Sequence, residues 1–185
     1  MQLKWYLIFK SEKIQANHSR ENTELKKIAV FVDVQNIYYT TRQAYQKQFN
    51  YRALWRRISD QGEIVLAKAY AIDRHDEKQR QFQSALRSIG FEVKLKPFIQ
   101  RSDGSAKGDW DVGITIDILQ TASNPDLAID TIILLSGDGD FDMLMKTINN
   151  DYGITGEAYG VSQLSADSLI NSVQQFNPID ESLLQ

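Results

Sequence analysis

Two β-type apolar runs organise the chain, Ile28-Ala29-Val30-Phe31-Val32 and Ile129 to Leu135. A run of branched and aromatic residues without polar alternation is what a strand covered on both faces requires. The segments between and after them carry weaker signals that switch between strand and helix periodicity. The pattern predicts helices over 36–49 and 51–60, ended by Gly62, and a second strand over Glu63–Ile72. A helix over Arg74–Ile89 stops at Gly90, and a strand follows over Phe91–Pro97. In that strand Phe91, Val93 and Leu95 alternate with Glu92, Lys94 and Lys96. A polar loop, Gln100–Ala106, leads to a helix over Lys107–Ala122. The second buried strand, a helix over Asp140–Asn150, a strand over Ile154–Tyr159 and a helix over Ser165–Val173 complete the expected order.

Strands that alternate with helices predict an α/β fold with a mainly parallel sheet and right-handed crossovers. The expected organisation is one domain over 27–180, an N-terminal extension at 1–26 that is flexible or loosely docked, and a short tail at 181–185. In a parallel sheet, ligands bind outside the carboxyl ends of the strands. That rule can be set against the aspartates. Asp33 follows the first buried strand directly. The other buried strand runs into Ser136-Gly137-Asp138-Gly139-Asp140-Phe141. If the two strands are neighbours, Asp33 and Asp138 lie within about 5–10 Å.

A third acidic segment is Asp109-Trp110-Asp111-Val112-Gly113-Ile114-Thr115-Ile116-Asp117. On a helix, Asp111, Thr115 and Ile118 share one face. Asp117 lies about a third of a turn away, so Asp111 and Asp117 cannot both aim at one ion. Asp111 is the preferred ligand, and Asp117 is expected behind it or in a salt bridge. Several carboxylates in one place stay ionised only with a compensating cation. An all-oxygen set suits Mg²⁺ or Mn²⁺. The expected ligands are Asp33, Asp111, Asp138 and Asp140, with Ser136 and Lys107 supporting them. Asp140 and Asn36 each have a helix-capping role open to them as well. Gly137 and Gly139 are expected to give a tight turn that admits a close ligand.

Composition narrows the chemistry. The 185 residues include no cysteine, which excludes disulfides and thiolate zinc sites. The two histidines, His18 and His75, have no partner at ligand spacing, which argues against a Ser-His-Asp triad. The net charge of −3 argues against binding nucleic acid by bulk charge alone. No apolar run approaches the ~18 residues of a membrane span, and Trp5-Tyr6-Leu7-Ile8-Phe9 is not read as a signal peptide. A cytoplasmic protein is expected.

Taken in order, Val30-Phe31-Val32-Asp33-Val34-Gln35-Asn36, Lys107-Gly108 with Asp111-Val112 and Asp117, and Ser136-Gly137-Asp138-Gly139-Asp140-Phe141 resemble the NYN domain, a branch of the PIN-like nucleases, and within it the LabA-like group. Gly90-Phe91-Glu92-Val93 and the tail from Tyr159-Gly160 through Ser165 fit the same pattern. Val34 stands where many relatives have glycine. The resemblance implies a three-layer α/β/α PIN-like fold and a Mg²⁺- or Mn²⁺-dependent ribonuclease centre with one or two ions, which leaves 5′-phosphate products. It also implies Asp33, Asn36, Asp111, Asp138 and Asp140 as catalytic positions.

RNA, single-stranded or structured, is the expected partner, and a homodimer is open. RNA needs positive and aromatic surface beside the carboxylates. Tyr38, Arg42, Arg101 and Lys107 are the first candidates, with Tyr39, Arg52, Arg56, Arg57, Lys94 and Lys96 behind them. Two other classes stand beside this one. One is a non-catalytic RNA-binding or regulatory module that keeps the fold. The other is a phosphatase or phosphotransfer protein with an acidic pocket, which the Ser-Gly-Asp-Gly-Asp turn argues against.

Overall fold

A computed structural model describes residues 25–73, 76–97, 99–100, 106–107 and 109–185. His18, His75, Arg101 and nearly all of the N-terminal extension lie outside the described residues, as do the side chain of Lys107 and positions 101–105 of the polar loop.

Six parallel strands form the central sheet: β1 (Lys27–Asp33), β2 (Glu63–Asp73), β3 (Glu92–Pro97), β6 (Thr131–Leu135), β7 (Thr155–Gly160) and β8 (Gln175–Pro178). Their spatial order is β3-β2-β1-β6-β7-β8, with every neighbouring pair parallel. Two-residue strands β4 (Ile99–Gln100) and β5 (Ala106–Lys107) pair antiparallel as a separate ribbon. The two apolar runs of the sequence are the two central strands, side by side, with Val32 opposite Leu135.

Helices cover both faces. Side chains on β1 alternate, so Ile28, Val30 and Val32 enter one core and Ala29 and Phe31 the other. The first core receives Ile37 from α1 (Val34–Tyr45), Leu54 and Ile58 from α2 (Tyr51–Ser59), and Leu86 from α3 (Glu77–Ile89). The second receives Ile114 and Ile118 from α4 (Asp111–Ala122), Leu144, Met145 and Ile148 from α5 (Asp142–Asn150), and Leu169 from α6 (Asp167–Ile170). Each of these fully buried aliphatic side chains contributes about 1.5–3 kcal/mol relative to exposure. The three-layer α/β/α architecture follows from this alternation.

Three local differences from the expected elements have physical reasons. The helix expected from Lys107 begins at Asp111, because Ala106 and Lys107 pair with β4 instead. The helix expected over Ser165–Val173 shrinks to Asp167–Ile170, after a 3-10 turn at Ser162–Leu164. Here the Ala166 amide donates to Gly137 O at 2.9 Å, which fixes the chain before the helix to the turn after β6. Strand β8 is polar, short and ends in Pro178, so it carries no apolar run to announce it, as suits a sheet edge. The final residues pack as well: Leu183 and Leu184 are buried, and Gln48 and Gln185 exchange backbone hydrogen bonds.

Candidate metal centre

The strand order reverses between β1 and β6. From β1 the chain passes through α1 to the β2 side, and from β6 it turns through Ser136–Asp140 to the β7 side. Helices leaving on opposite faces open a crevice at the carboxyl ends of these two strands. Asp33, Asp111, Asp138 and Asp140 all lie at this end.

Asp111, Asp138 and Asp140 each present a carboxylate oxygen, and the three atoms lie within 4.8 Å of one another. Asp111 opens α4, where the helix dipole favours a negative charge. Asp138 is held twice: its amide donates to Ser136 Oγ at 3.1 Å, and its Oδ1 accepts the Asp140 amide at 3.0 Å. The cap of the 3-10 turn over Gly139–Phe141 is therefore Asp138, and the Asp140 side chain is released from that role.

Asp33 stands outside this group of three but shares its field. It is buried and caps α1 by accepting the Asn36 amide at 3.0 Å. Burial pushes its pKa up to about 6, against the lowering pull of the Asn36 amide, and the charges of Asp111 and Asp138 push the same way. The Asp111 carboxyl is also raised, first by burial and then by Asp138, Asp109 and Asp140, with Lys96 opposing. Burial leads both shifts, and the neighbouring carboxylates add to it. The donor set is all oxygen and clustered. That set fits a hard divalent cation.

The other expected residues divide by position. The Asn36 side-chain Oδ1 accepts the Gly137 amide at 2.9 Å, so the residue clasps the start of α1 to the turn after β6. Asp117 turns to the neighbouring strand, where it accepts from Tyr70 Oη at 2.6 Å and pairs with Lys68 Nζ at 3.2 Å. Tyr38 and Tyr39 are half exposed on α1 and meet edge to face at 5.3 Å, with the Arg42 guanidinium 5.9 Å from the Tyr38 ring centre.

Gly137 and Gly139 lie outside the left-handed region. Gly137 is required for a close approach within the protein. A Cβ there would stand 2.6 Å from Ser165 Oγ and 3.1 Å from Ser165 Cα.

The structure adds residues that the sequence did not single out. Trp110 donates from Nε1 to Ala71 O at 2.9 Å and packs edge to face on Tyr70 at 5.2 Å. Gly113 makes room for it, since a Cβ there would lie 2.6 Å from the indole. Lys96, one of many basic candidates in the sequence, sits 4.3 Å over the indole and donates to Asp109 O at 2.9 Å. The only advance signal for Trp110 was its position between two aspartates.

A family model described as the NYN domain matches residues 27–180. The chain is 32% identical over 133 residues to the low amplitude and bright protein LabA of Synechococcus elongatus, covering 66% of this chain and 67% of LabA. A crystal structure of a protein of unknown function from Vibrio parahaemolyticus superposes with a TM-score of 0.81 at 50% identity, covering 89% of this chain and 99% of that one. No helix among the described residues is long and apolar enough to cross a membrane.

Proposed function

This chain belongs to the NYN domain family of PIN-like nucleases, and from that membership we propose that its carboxylate crevice is a Mg²⁺- or Mn²⁺-dependent endoribonuclease centre. The observation that carries the reading is the meeting of Asp111, Asp138 and Asp140 oxygens within 4.8 Å at the β1/β6 crevice. The working unit is the 27–180 domain together with the packed residues 181–185, with 1–26 an extension to it, and the compartment is the cytoplasm.

Asp111, Asp138 and Asp140 would hold the cation, and Asp33 supplies the fourth carboxylate. With a pKa of about 6, Asp33 is ionised at neutral pH and gains from an incoming positive charge. When bound, the cation supplies Lewis acidity to the scissile phosphate and to the attacking water. Asn36 and Ser136 act on position: one holds the Gly137 amide and the other the Asp138 amide, so the turn keeps its carboxylates aimed into the crevice. Lys96 places a positive charge beside Asp111, available to a substrate phosphate. The chain needs no nucleophile of its own, in keeping with its lack of cysteine.

The test is purified protein with end-labelled single-stranded RNA and Mn²⁺, beside an EDTA control and Asp138→Asn. Cleavage that leaves 5′-phosphates, is lost in EDTA and drops at least a hundredfold in the variant supports the assignment. Equal cleavage by the variant overturns it. Binding of varied RNAs without cleavage of any would instead favour a non-catalytic module.

A further inference from the structure

On the α1–α3 face of the sheet, beside the carboxylates, lies a cavity of about 560 Å³. Its floor is the carboxyl end of β2 at Ala71 and Ile72, and its walls come from α1, α3 and the segment entering α2. The size falls within the ~300–1,000 Å³ of small-ligand pockets. Five aromatic side chains line it: Tyr38, Tyr39, Phe49, Tyr51 and Phe82. The inner three meet edge to face, with Phe49–Tyr51 at 4.9 Å and Tyr51–Phe82 at 5.6 Å. The outer two, Tyr38 and Tyr39, are 48% and 53% exposed.

Three observations identify what fits. The first is adjacency: Val34 and Gln35, the residues directly after Asp33, line the cavity, and the Asp33 charge acts on the Tyr51 phenol. The cavity and the crevice therefore share the β1–α1 junction as a wall. The second is the mixture of flat rings with the amides of Gln35 and Gln48, which offer both donors and acceptors to the edge of a planar heterocycle. The third is charge: Arg52 and Lys78 line the cavity and Arg42 stands over Tyr38, while the one acidic side chain among the described lining residues, Asp76, is engaged as the cap of α3, accepting the Gln79 amide. An aliphatic chain would use the rings and waste the amides and cations. A stacked base with its flanking phosphates uses all three.

We propose that this cavity receives one unpaired nucleobase of an RNA strand whose neighbouring phosphate lies at the carboxylate crevice. The assignment rests on the nuclease reading for the ligand being RNA, and it restricts the substrate to strands that can present a base out of a helix. A continuous duplex is a poor substrate, because its bases are already paired and stacked.

The experiment compares two ligands of equal charge on the full chain. One is a single-stranded tetra-adenylate, and the other is the matched abasic ribose-phosphate tetramer. Binding is measured with Ca²⁺ as the divalent ion, and a denaturing gel confirms that the ligand stays intact. The tetra-adenylate should bind about tenfold or more tightly than the abasic tetramer. Ala85→Trp, an exposed position lining the cavity from α3, should bring tetra-adenylate binding down to the abasic level and leave abasic binding unchanged. Tyr38→Ala should narrow the difference in the same direction, and melting curves for both variants establish that they fold. Equal binding of the two ligands by the wild type, no measurable binding of either, or a folded Ala85→Trp with the wild-type difference would each overturn the proposal. Failure to cleave RNA in Mn²⁺ counts against the nuclease reading alone, since base-dependent binding is read without turnover.

Discussion

The side-chain oxygen of Asn36 accepts the amide hydrogen of Gly137 at 2.9 Å, across 101 positions of sequence. This bond joins the first turn of the helix after the first buried strand to the turn that follows its neighbour. Gly137 is buried, so its amide has no water to fall back on.

Asn36→Ala leaves that amide unpaired. The expected cost is about 1–3 kcal/mol, seen as a Tm lower by roughly 5 °C. RNA cleavage should fall by more than the folded fraction does, because the turn that carries Asp138 loses its tie to α1 at Gly137. Calorimetry and single-turnover cleavage on the same sample check both parts. A variant with wild-type activity per folded molecule would show that the clasp does not position the carboxylates.

Asp33 makes stability depend on pH. Its pKa is raised to about 6 from an ordinary value of 3.8, so the folded metal-free protein favours the protonated form. That stabilisation is full below about pH 4 and is lost as pH rises through about 6. In Asp33→Asn the cap survives, since Asn accepts the Asn36 amide equally well. The variant should therefore be more stable than wild type in EDTA at pH 8, by up to about 3 kcal/mol, and should lose that advantage near pH 4. Millimolar Mn²⁺ should raise the wild-type Tm at pH 8, because a ligand of the native state stabilises it, and raise that of the variant less. Denaturant titrations across pH 4–8 read the sign directly.

Asp117 tests the division between ligand and scaffold. Asp117→Ala strands Lys68 and the Tyr70 hydroxyl, whose partners it supplies. Stability should fall by about 2 kcal/mol, while the Mn²⁺-induced rise in Tm persists. Loss of the metal response in a folded Asp117→Ala protein would place this residue among the ligands.

Lys96 stands over Trp110 and beside Asp111. Lys96→Gln removes one positive charge from the crevice rim with little change of packing. RNA binding should weaken at low salt, and the slope of log K against log salt should shrink by about 0.7–1. An unchanged slope would mean that the lysine serves Trp110 and Asp109 only.

The central strands were legible because Ile28–Val32 and Ile132–Leu135 are apolar on both faces, a pattern with few alternatives. Asp33 and Asp138 were legible for the same reason, since each follows such a strand within a few residues. What escaped depended on contacts distant in sequence. Asn36 read equally well as a cap, and only the approach of Gly137 gave its amide another use. The capping role weighed for Asp140 went to Asp138, because the turn is 3-10 rather than the start of an α-helix. The start of α4 moved because Ala106 and Lys107 found partners in β4. Trp110 carried no periodic signal, and its place is set by Ala71, Tyr70 and the open face of Gly113.

The strand order has a temporal consequence. Asp33, Asp111 and Asp138 come from widely separated parts of the chain, and β6 must slot beside β1 before they share a crevice. During synthesis, β1, β2 and β3 emerge and can pair while the partner strand is still unmade. A ribosome-bound chain that stops short of β6 thus carries Asp33 and Asp111 without Asp138 and Asp140. The group of three carboxylates therefore closes only once β6 and the turn beyond it have been made.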